Sequence, residues 1–296
     1  MKLLASALLL EGMVEGTGNY REDCLNLIAR IPAVVATVMN HHAGWHQPGR
    51  GEAKPIFDPQ LGYMENFVAM LQLPNEKTKD LVRVMTLFNI LHYDHGGGNL
   101  STFVGKAVAS GLEDMYGSMA SAMCALAGPR HGRANQDCLE FVQSIMNALG
   151  ENASDAQVEA LLRTKLEHNE LIFGFGHAVL RVEDPRATIF YELAAKKYHS
   201  HPLVKLALQL RQVGPQVLSE NPKISDPYPN VDAISGITLI AAGFPYPEYF
   251  TLLFGLSRTV GIALQIVYER LEARQGKGTP IVRPKYFYLK NEEFSG

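Results

Sequence analysis

Lys77-Thr78-Lys79-Asp80-Leu81-Val82-Arg83-Val84-Met85-Thr86-Leu87-Phe88-Asn89-Ile90-Leu91-His92-Tyr93, followed by Asp94-His95-Gly96-Gly97-Gly98-Asn99, decides how the rest of the chain is read. Leu81, Val84, Met85, Phe88, Ile90 and Leu91 recur at helical spacing and make a wide apolar face. Three glycines then stop the helix and leave titratable side chains at its end. Side chains at element ends can converge on a shared cleft, and glycine lets a ligand approach the backbone closely.

The same periodicity extends in both directions. Cys24 to Asn40 carries Leu25, Leu27, Ile28, Ile31, Val34, Val35 and Val38, with Pro32 expected to bend it. Asp58 to Leu73 reads as a helix with Phe67, Met70 and Leu71 on its apolar side. Val104 to Ala127, rich in Ala, Ser, Gly and Met, predicts two closely packed helices broken near Asp114 to Gly117. Leu139–Leu149, Ser154–Asn169, Pro185–His199, Pro202–Leu218, Val231–Ala242 and Tyr246–Arg274 complete the helical series. Ser154 suits an N-cap and Pro185 a first helical position. His41 to Pro55 and Asn221 to Pro229 read as loops, and the tail from Gly276 as a surface segment. Strand-like alternation is scarce, so the fold is predicted to be all-α.

At 296 residues and 47% hydrophobic content the chain can bury a large core. A formal charge of -3 offers no basic field for nucleic acid. Cys24, Cys124 and Cys138 are odd in number and widely spaced, which predicts free thiols in a reducing compartment. Met1 to Leu10 superficially resembles a signal peptide, but Glu11 and Glu15 follow closely, and a buried helix is the reading adopted. No segment is read as a membrane-spanning apolar stretch.

Three further segments place titratable groups beside glycine or proline: Gly128-Pro129-Arg130-His131-Gly132, Gly174-Phe175-Gly176-His177-Ala178-Val179 and Pro229-Asn230-Val231-Asp232-Ala233. Singly, each has an ordinary explanation. An Asp after Pro and Asn is commonly a helix N-cap, a His in a Gly-rich turn is often exposed, and Arg186 has Asp184 beside it as an ion-pair partner. His92-x-x-His95 can place two imidazoles on one helix face, but no further ligand cluster accompanies the pair, so no metal is expected. Neither a G-x-G-x-x-G fingerprint nor a P-loop is present, which disfavours a dinucleotide or nucleoside triphosphate fold.

Taken in order, Asp94-His95-Gly96-Gly97-Gly98-Asn99, Leu126-Ala127-Gly128-Pro129-Arg130-His131-Gly132-Arg133-Ala134-Asn135-Gln136, Gly174-Phe175-Gly176-His177-Ala178-Val179-Leu180-Arg181, Asp184-Pro185-Arg186, Pro229-Asn230-Val231-Asp232, Gly255-Leu256-Ser257-Arg258 and Arg283-Pro284-Lys285 resemble the motifs of the citrate synthase family, in its mitochondrial and bacterial form. The resemblance runs from about Tyr20 to Lys285. It implies a helical protein of two domains closing on the substrates: a large domain of residues 1–130 and 236–296, and a small domain of 131–235 between them. The implied reaction joins acetyl-CoA, as substrate and not as cofactor, to oxaloacetate, and hydrolyses the thioester to citrate and CoA. Asp232 matches the base that takes the methyl proton, and His131 the neutral donor to the thioester carbonyl. His177 matches the residue that polarises the oxaloacetate ketone. Arg186 and Arg258 match carboxylate clamps, and Arg283 a third, reaching across a homodimer. His95 matches a substrate contact, with Asn99 beside it. Phe173, Gly174, Phe175 and Gly176 resemble the loop that recognises the adenine of CoA, and Arg181 an arginine near its phosphates. No cofactor, metal, nucleic acid or membrane partner is implied.

Two positions depart from the family: Arg130 stands where a leucine is typical, and Gly96 where a glutamate is. Family members also carry a further helical region ahead of the first motifs, so a truncated, non-catalytic relative is one alternative, and a 2-methylcitrate synthase another. The family works in the bacterial cytoplasm or the mitochondrial matrix, and the cytoplasm is the first expectation.

Overall fold

The computed structural model describes residues 1–44, 55–73, 78–94, 96–177, 179–285 and 287. Their regular structure is helical, as predicted, and the one β-feature among them is an isolated antiparallel bridge between Phe175 and Pro229. In chain order the helices are α1 (Lys2–Glu15), α2 (Tyr20–Gly44), α3 (Tyr63–Met70), α4 (Thr78–Leu91), α5 (Leu100–Ala109), α6 (Met115–Leu126), α7 (Ala134–Leu149), α8 (Asp155–Glu167), α9 (Pro185–Lys197), α10 (Pro202–Ser219), α11 (Ser235–Ala241) and α12 (Phe250–Val267). Short 3₁₀ turns sit at Gly96–Gly98, Val231–Ala233 and Pro247–Tyr249, and a π-helical turn at Tyr268–Glu272.

Small residues set how closely the helices approach. A Cβ on Gly105 of α5 would stand 3.1 Å from Ile262 of α12 and 3.2 Å from Ala122 of α6. One on Gly12 of α1 would stand 2.6 Å from the Cβ of Tyr116 on α6. Leu4 and Leu8 are fully buried, so α1 is a core helix, as read from the sequence. Helices α1, α2, α5, α6 and α12 pack on one another. Helices α7, α8, α9, α10 and α11 form a second packed group, which α4 and α12 meet through α11 and α7.

Differences from the sequence reading have identifiable causes. The Asp58–Leu73 helix is shorter, because the Asn66 amide bonds the carbonyls of Asp58 and Leu61, both at 2.9 Å, and folds residues 58–61 into a turn. Helix α7 starts five residues early, where Asn135 is buried and donates to Ser235 Oγ at 2.7 Å. Helix α2 continues through Pro32 to Gly44, into the stretch read as a loop; residues 45–54 of that loop lie outside the described residues. The Val231–Ala242 helix is divided at Ile234 (φ -137), which leaves Asp232 in its own turn.

Contrary to the sequence reading, Tyr20–His42 and Pro247–Glu272 are by length and composition apolar enough to cross a bilayer; 50% and 67%, respectively, of the apolar 18-residue segment within each is buried inside the fold.

The tight seat of Gly105 makes a prediction. Gly105→Leu should overpack the α5–α6–α12 junction and lower stability by about 1–3 kcal/mol. A thermal melt followed by far-UV circular dichroism should show a fall of several degrees, and an unchanged melt would mean that this junction is loose.

Candidate active site

Two loops are joined backbone to backbone, and this fixes the site. Gly174 and Gly176 adopt left-handed φ values of +85° and +84°. Between them, Phe175 bridges Pro229. Gly176 N–H donates to the Tyr228 carbonyl at 2.9 Å, and Asn230 N–H to the Gly174 carbonyl at 2.9 Å. The Asn230 amide closes the pairing with a 3.0 Å bond to the Gly176 carbonyl. A Cβ on Gly174 would lie 2.8 Å from Cys138 Sγ and 3.0 Å from the Ala233 backbone, so glycine is required there on two counts. His177 follows one partner of this pairing and Asp232 the other.

A cavity of 180 Å³ is lined by His92, Asn99, His131, His177, Arg186, Asn230, Val231, Asp232, Phe254 and Arg258. Six of the predicted catalytic and substrate residues (Asn99, His131, His177, Arg186, Asp232 and Arg258) therefore meet around one space, from five separate stretches of chain. His95 lies outside the described residues. Arg283 is exposed on the C-terminal segment and does not line this cavity.

His131 sits in the turn after α6, with its N–H bonded to the Gly128 carbonyl at 2.9 Å. The next residue must be glycine, because a Cβ on Gly132 would stand 2.2 Å from the Leu126 carbonyl oxygen. Ser101 N–H, in the first turn of α5, donates to His131 Nε2 at 3.3 Å, and Ser101 Oγ lies 3.0 Å from the same nitrogen. A ring nitrogen that accepts from an amide is unprotonated, so the neutral ring carries its proton on Nδ1.

His177 has the opposite tautomer. Its Nδ1 accepts from Val179 N–H and Leu180 N–H, both at 3.0 Å, so the neutral ring donates through Nε2. Asp232 is not the N-cap of its turn. That role belongs to Asn230, whose Oδ1 accepts from Asp232 N–H at 3.0 Å. Burial lifts the Asp232 carboxyl from 3.8 to about 6; Arg186 draws it down, Asp184 pushes it up and Arg258 draws it down.

Arg186 does pair with Asp184, through Nε at 3.0 Å to Oδ1 and Nη2 at 2.7 Å to Oδ2, and it lines the cavity as well. Asp184 is buried and also caps α9. Burial would raise its carboxyl, but the Arg186 bonds prevail and hold it below the usual range. Arg258 is 1% exposed, donates through Nε to the His92 carbonyl at 2.9 Å and lies 4.6 Å over the Phe254 ring. Burial and the neighbouring Arg186 bring it down to about 10, which still leaves it charged at neutral pH.

His92 is the cavity residue that sequence reasoning considered only as half of a metal pair. It is buried, stacks on Phe88 and donates through Nδ1 to the Phe88 carbonyl at 2.7 Å. Burial pushes it down to about 3, so it is a neutral wall of the site. The signal lay in the helical repeat, since Phe88 is its i−4 partner. Among the described residues no group of three or more His, Cys, Asp or Glu side chains could hold a metal. Asn99 spends its side chain on capping α5: Oδ1 accepts from Thr102 N–H at 3.0 Å and Nδ2 donates to Thr102 Oγ1 at 2.8 Å.

The loop ahead of His177 faces other recesses. Phe175 and Gly176 line one of 400 Å³ with Leu166, Ile172, Leu218, Lys223 and Asp226. Phe173 lines a neighbouring recess of 440 Å³, while Gly174 is buried. Arg181 is exposed and donates to the carbonyls of His177 and Leu180 at 3.0 and 2.6 Å, which braces the loop. Arg130 is exposed. A separate 500 Å³ groove between α4 and α9 holds none of the predicted residues.

The raised Asp232 carboxyl has a measurable cost. Between pH 3.8 and 6 the folded chain holds this proton more tightly than the unfolded chain, so stability falls as pH rises and the penalty is complete above about 6. Asp232→Asn should therefore stabilise the protein at pH 8 by on the order of 1–3 kcal/mol. The gain should vanish below about pH 4. Denaturant melts at both pH values test this, and a variant no more stable at pH 8 would contradict a buried charge.

Residues 1–285 match the family model described as citrate synthase, C-terminal domain. The chain is 41% identical over 264 residues to the mitochondrial citrate synthase 4 of Arabidopsis thaliana, covering 89% of this chain and 53% of that protein. It is 38% identical over 273 residues to the mitochondrial citrate synthase of Fragaria ananassa, covering 92% and 55%. It thus spans about half the length of these relatives. Among solved structures, citrate synthase from Thermotoga maritima MSB8 superposes with a TM-score of 0.72 at 25% identity, covering 98% of this chain and 72% of that one. A ternary complex of the Thermoplasma acidophilum enzyme with carboxymethyl coenzyme A and oxaloacetate gives 0.74 at 27% identity, covering 97% and 72%. With the ordered motifs, the helical fold and this similarity along nearly its whole length, the chain belongs to the citrate synthase family.

Proposed function

We propose that this chain condenses acetyl-CoA with oxaloacetate and hydrolyses the product thioester to citrate and CoA. The observation that carries this reading is the meeting of Asp232, His131 and His177 with two guanidinium groups around one small cavity. A thioester methyl proton is weakly acidic, so a base alone is insufficient and the nascent enolate oxygen needs a donor at the same moment. Asp232 removes the proton while His131 Nδ1–H donates to the thioester oxygen. The carbon so released attacks the oxaloacetate ketone, and His177 Nε2–H stabilises and then protonates the alkoxide. Water cleaves the resulting citryl thioester to citrate and CoA. Arg186 and Arg258 hold substrate carboxylates, each already oriented by a second bond, to Asp184 and to the His92 carbonyl.

His95 and Asn99 complete the substrate end in this proposal, and Phe173 to Gly176 with Arg181 serve CoA. His131 and Asp232 lie at the boundaries of a large domain, 1–130 with 236–296, and a small one, 131–235, which carries His177, and the two close on the substrates. The protein acts as a homodimer, each subunit lending Arg283 to its partner's site. The plant relatives are mitochondrial proteins, which favours the matrix over the bacterial cytoplasm expected first.

Thiol release from acetyl-CoA on addition of oxaloacetate tests this directly. Activity should fall as pH drops through about 6, where Asp232 takes up its proton. Asp232→Asn should lower kcat by about 10²–10⁴. Absence of release, or a clear preference for propionyl-CoA, would overturn the assignment.

A further inference from the structure

Helix α5 has a well-defined role at its start, where Asn99 caps it and Ser101 holds His131. Its other end meets the C-terminal segment. Lys106 and Ser110 lie one turn apart on the same side of the helix. Lys106 Nζ pairs with Glu269 Oε1 at 2.7 Å, both side chains being about four-fifths buried. The same ammonium lies against the backbone of Gly97, where an added Cβ would stand 2.6 Å from it. The other carboxylate oxygen of Glu269 accepts from Thr279 Oγ1, and its main-chain carbonyl accepts from Thr279 N–H at 2.9 Å. Arg270, next in the π-helical turn, donates to the Thr279 carbonyl. Three residues on, Val282 N–H donates to Ser110 Oγ at 2.8 Å, and that hydroxyl is itself oriented by a 2.6 Å bond to the Ala107 carbonyl.

We infer that the C-terminal end of α5 is an anchor that holds the segment presenting Arg283, with Lys106, Glu269 and Ser110 as positioning residues. This rests on the citrate synthase reading and on delivery of Arg283 to the partner's site. The segment is anchored at Thr279 and Val282, immediately before Arg283. Pro280 and Pro284 restrict the backbone on either side. Lys106 and Ser110 stand five and nine residues beyond Ser101, about 7.5 and 13.5 Å along the axis, so the anchors and the group that holds His131 share one rigid element. A π-helical turn is an uncommon element, and here its Glu269 is the junction of both bonds. Burial would raise the Glu269 carboxyl, but Lys106 and Thr279 outweigh it and keep the junction ionised.

The test compares Ser110→Ala, Lys106→Met, Lys106→Arg and Arg283→Ala, alone and combined, in the full chain. Ser110→Ala and Lys106→Met should raise the KM for oxaloacetate about five- to twentyfold, the scale of one lost hydrogen bond or buried ion pair. The KM for acetyl-CoA should stay near wild type, Ser110→Ala should melt near wild type, Lys106→Met should melt lower because it leaves the Glu269 carboxylate without its ammonium partner, and Lys106→Arg should recover most of both losses. In an Arg283→Ala background the anchor substitutions should add nothing. Hydrogen exchange of the Thr279 and Val282 amides should quicken in the anchor variants. An unchanged KM for oxaloacetate, full additivity with Arg283→Ala, or unchanged exchange would overturn the positioning role. Arg283→Ala with a wild-type KM would overturn it together with the cross-subunit assignment, while citrate synthesis stood. A chain without thiol release would remove the proposed function and this role with it.

Discussion

The pairing of residues 174–176 with 228–230 is the constraint on which the site depends. It is three backbone-directed hydrogen bonds long, and it joins two segments more than fifty residues apart. Two glycines in left-handed conformations let the first strand-like segment turn sharply at both ends, and Gly174 leaves room for Cys138 and Ala233 beneath it. His177 and Asp232 emerge from opposite partners of this short ladder, so their separation is set by backbone geometry, independently of side-chain packing. A methyl group at Gly174 would disturb the positions of both reactive groups together.

Around that frame the charges are arranged unevenly. Arg258 is buried among apolar helices and keeps its charge despite desolvation, while Arg186 shares its charge with Asp184. Asp232 feels both, and burial still outweighs the two guanidinium groups, so its carboxyl is more basic than an ordinary one. A base of this strength is ionised at neutral pH yet takes up a proton more readily than a solvated carboxylate. The histidines complete the pattern. His92 is neutral by burial. Amide donors fix the tautomers of the other two, with Nδ1 as donor in His131 and Nε2 in His177.

Much of this was legible in the chain. The 3.6-residue repeat in Lys77–Tyr93 and its neighbours located the helices, because each buries one face and the sequence records that face directly. The glycine-flanked histidines and Asp232 were recognisable, since sharp turns demand particular residues. What failed to show was anything that depended on a distant partner. Asn135 reads as a polar residue before a helix, but it lies inside α7 because Ser235 is there to receive it. His92 reads only as half of a metal pair at the end of its helix, yet it is walled in by Phe88 and Phe254. The division at Ile234 carries no local signal either.

Sequence alone determined the all-helical architecture, the placement of reactive groups at breaks between helices and the order of motifs that marks the family. These follow from local periodicity, backbone restrictions at glycine and proline, and the chemistry of individual side chains. Only the tertiary structure decided which nitrogen of each histidine carries the proton, how far burial lifts Asp232, and that Arg186 serves Asp184 and the cavity at once. The amide on His131 and the burial and charges around Asp232 come from distant segments, and the local bonds of His177 and Arg186 bear on the cavity only once those segments are brought together.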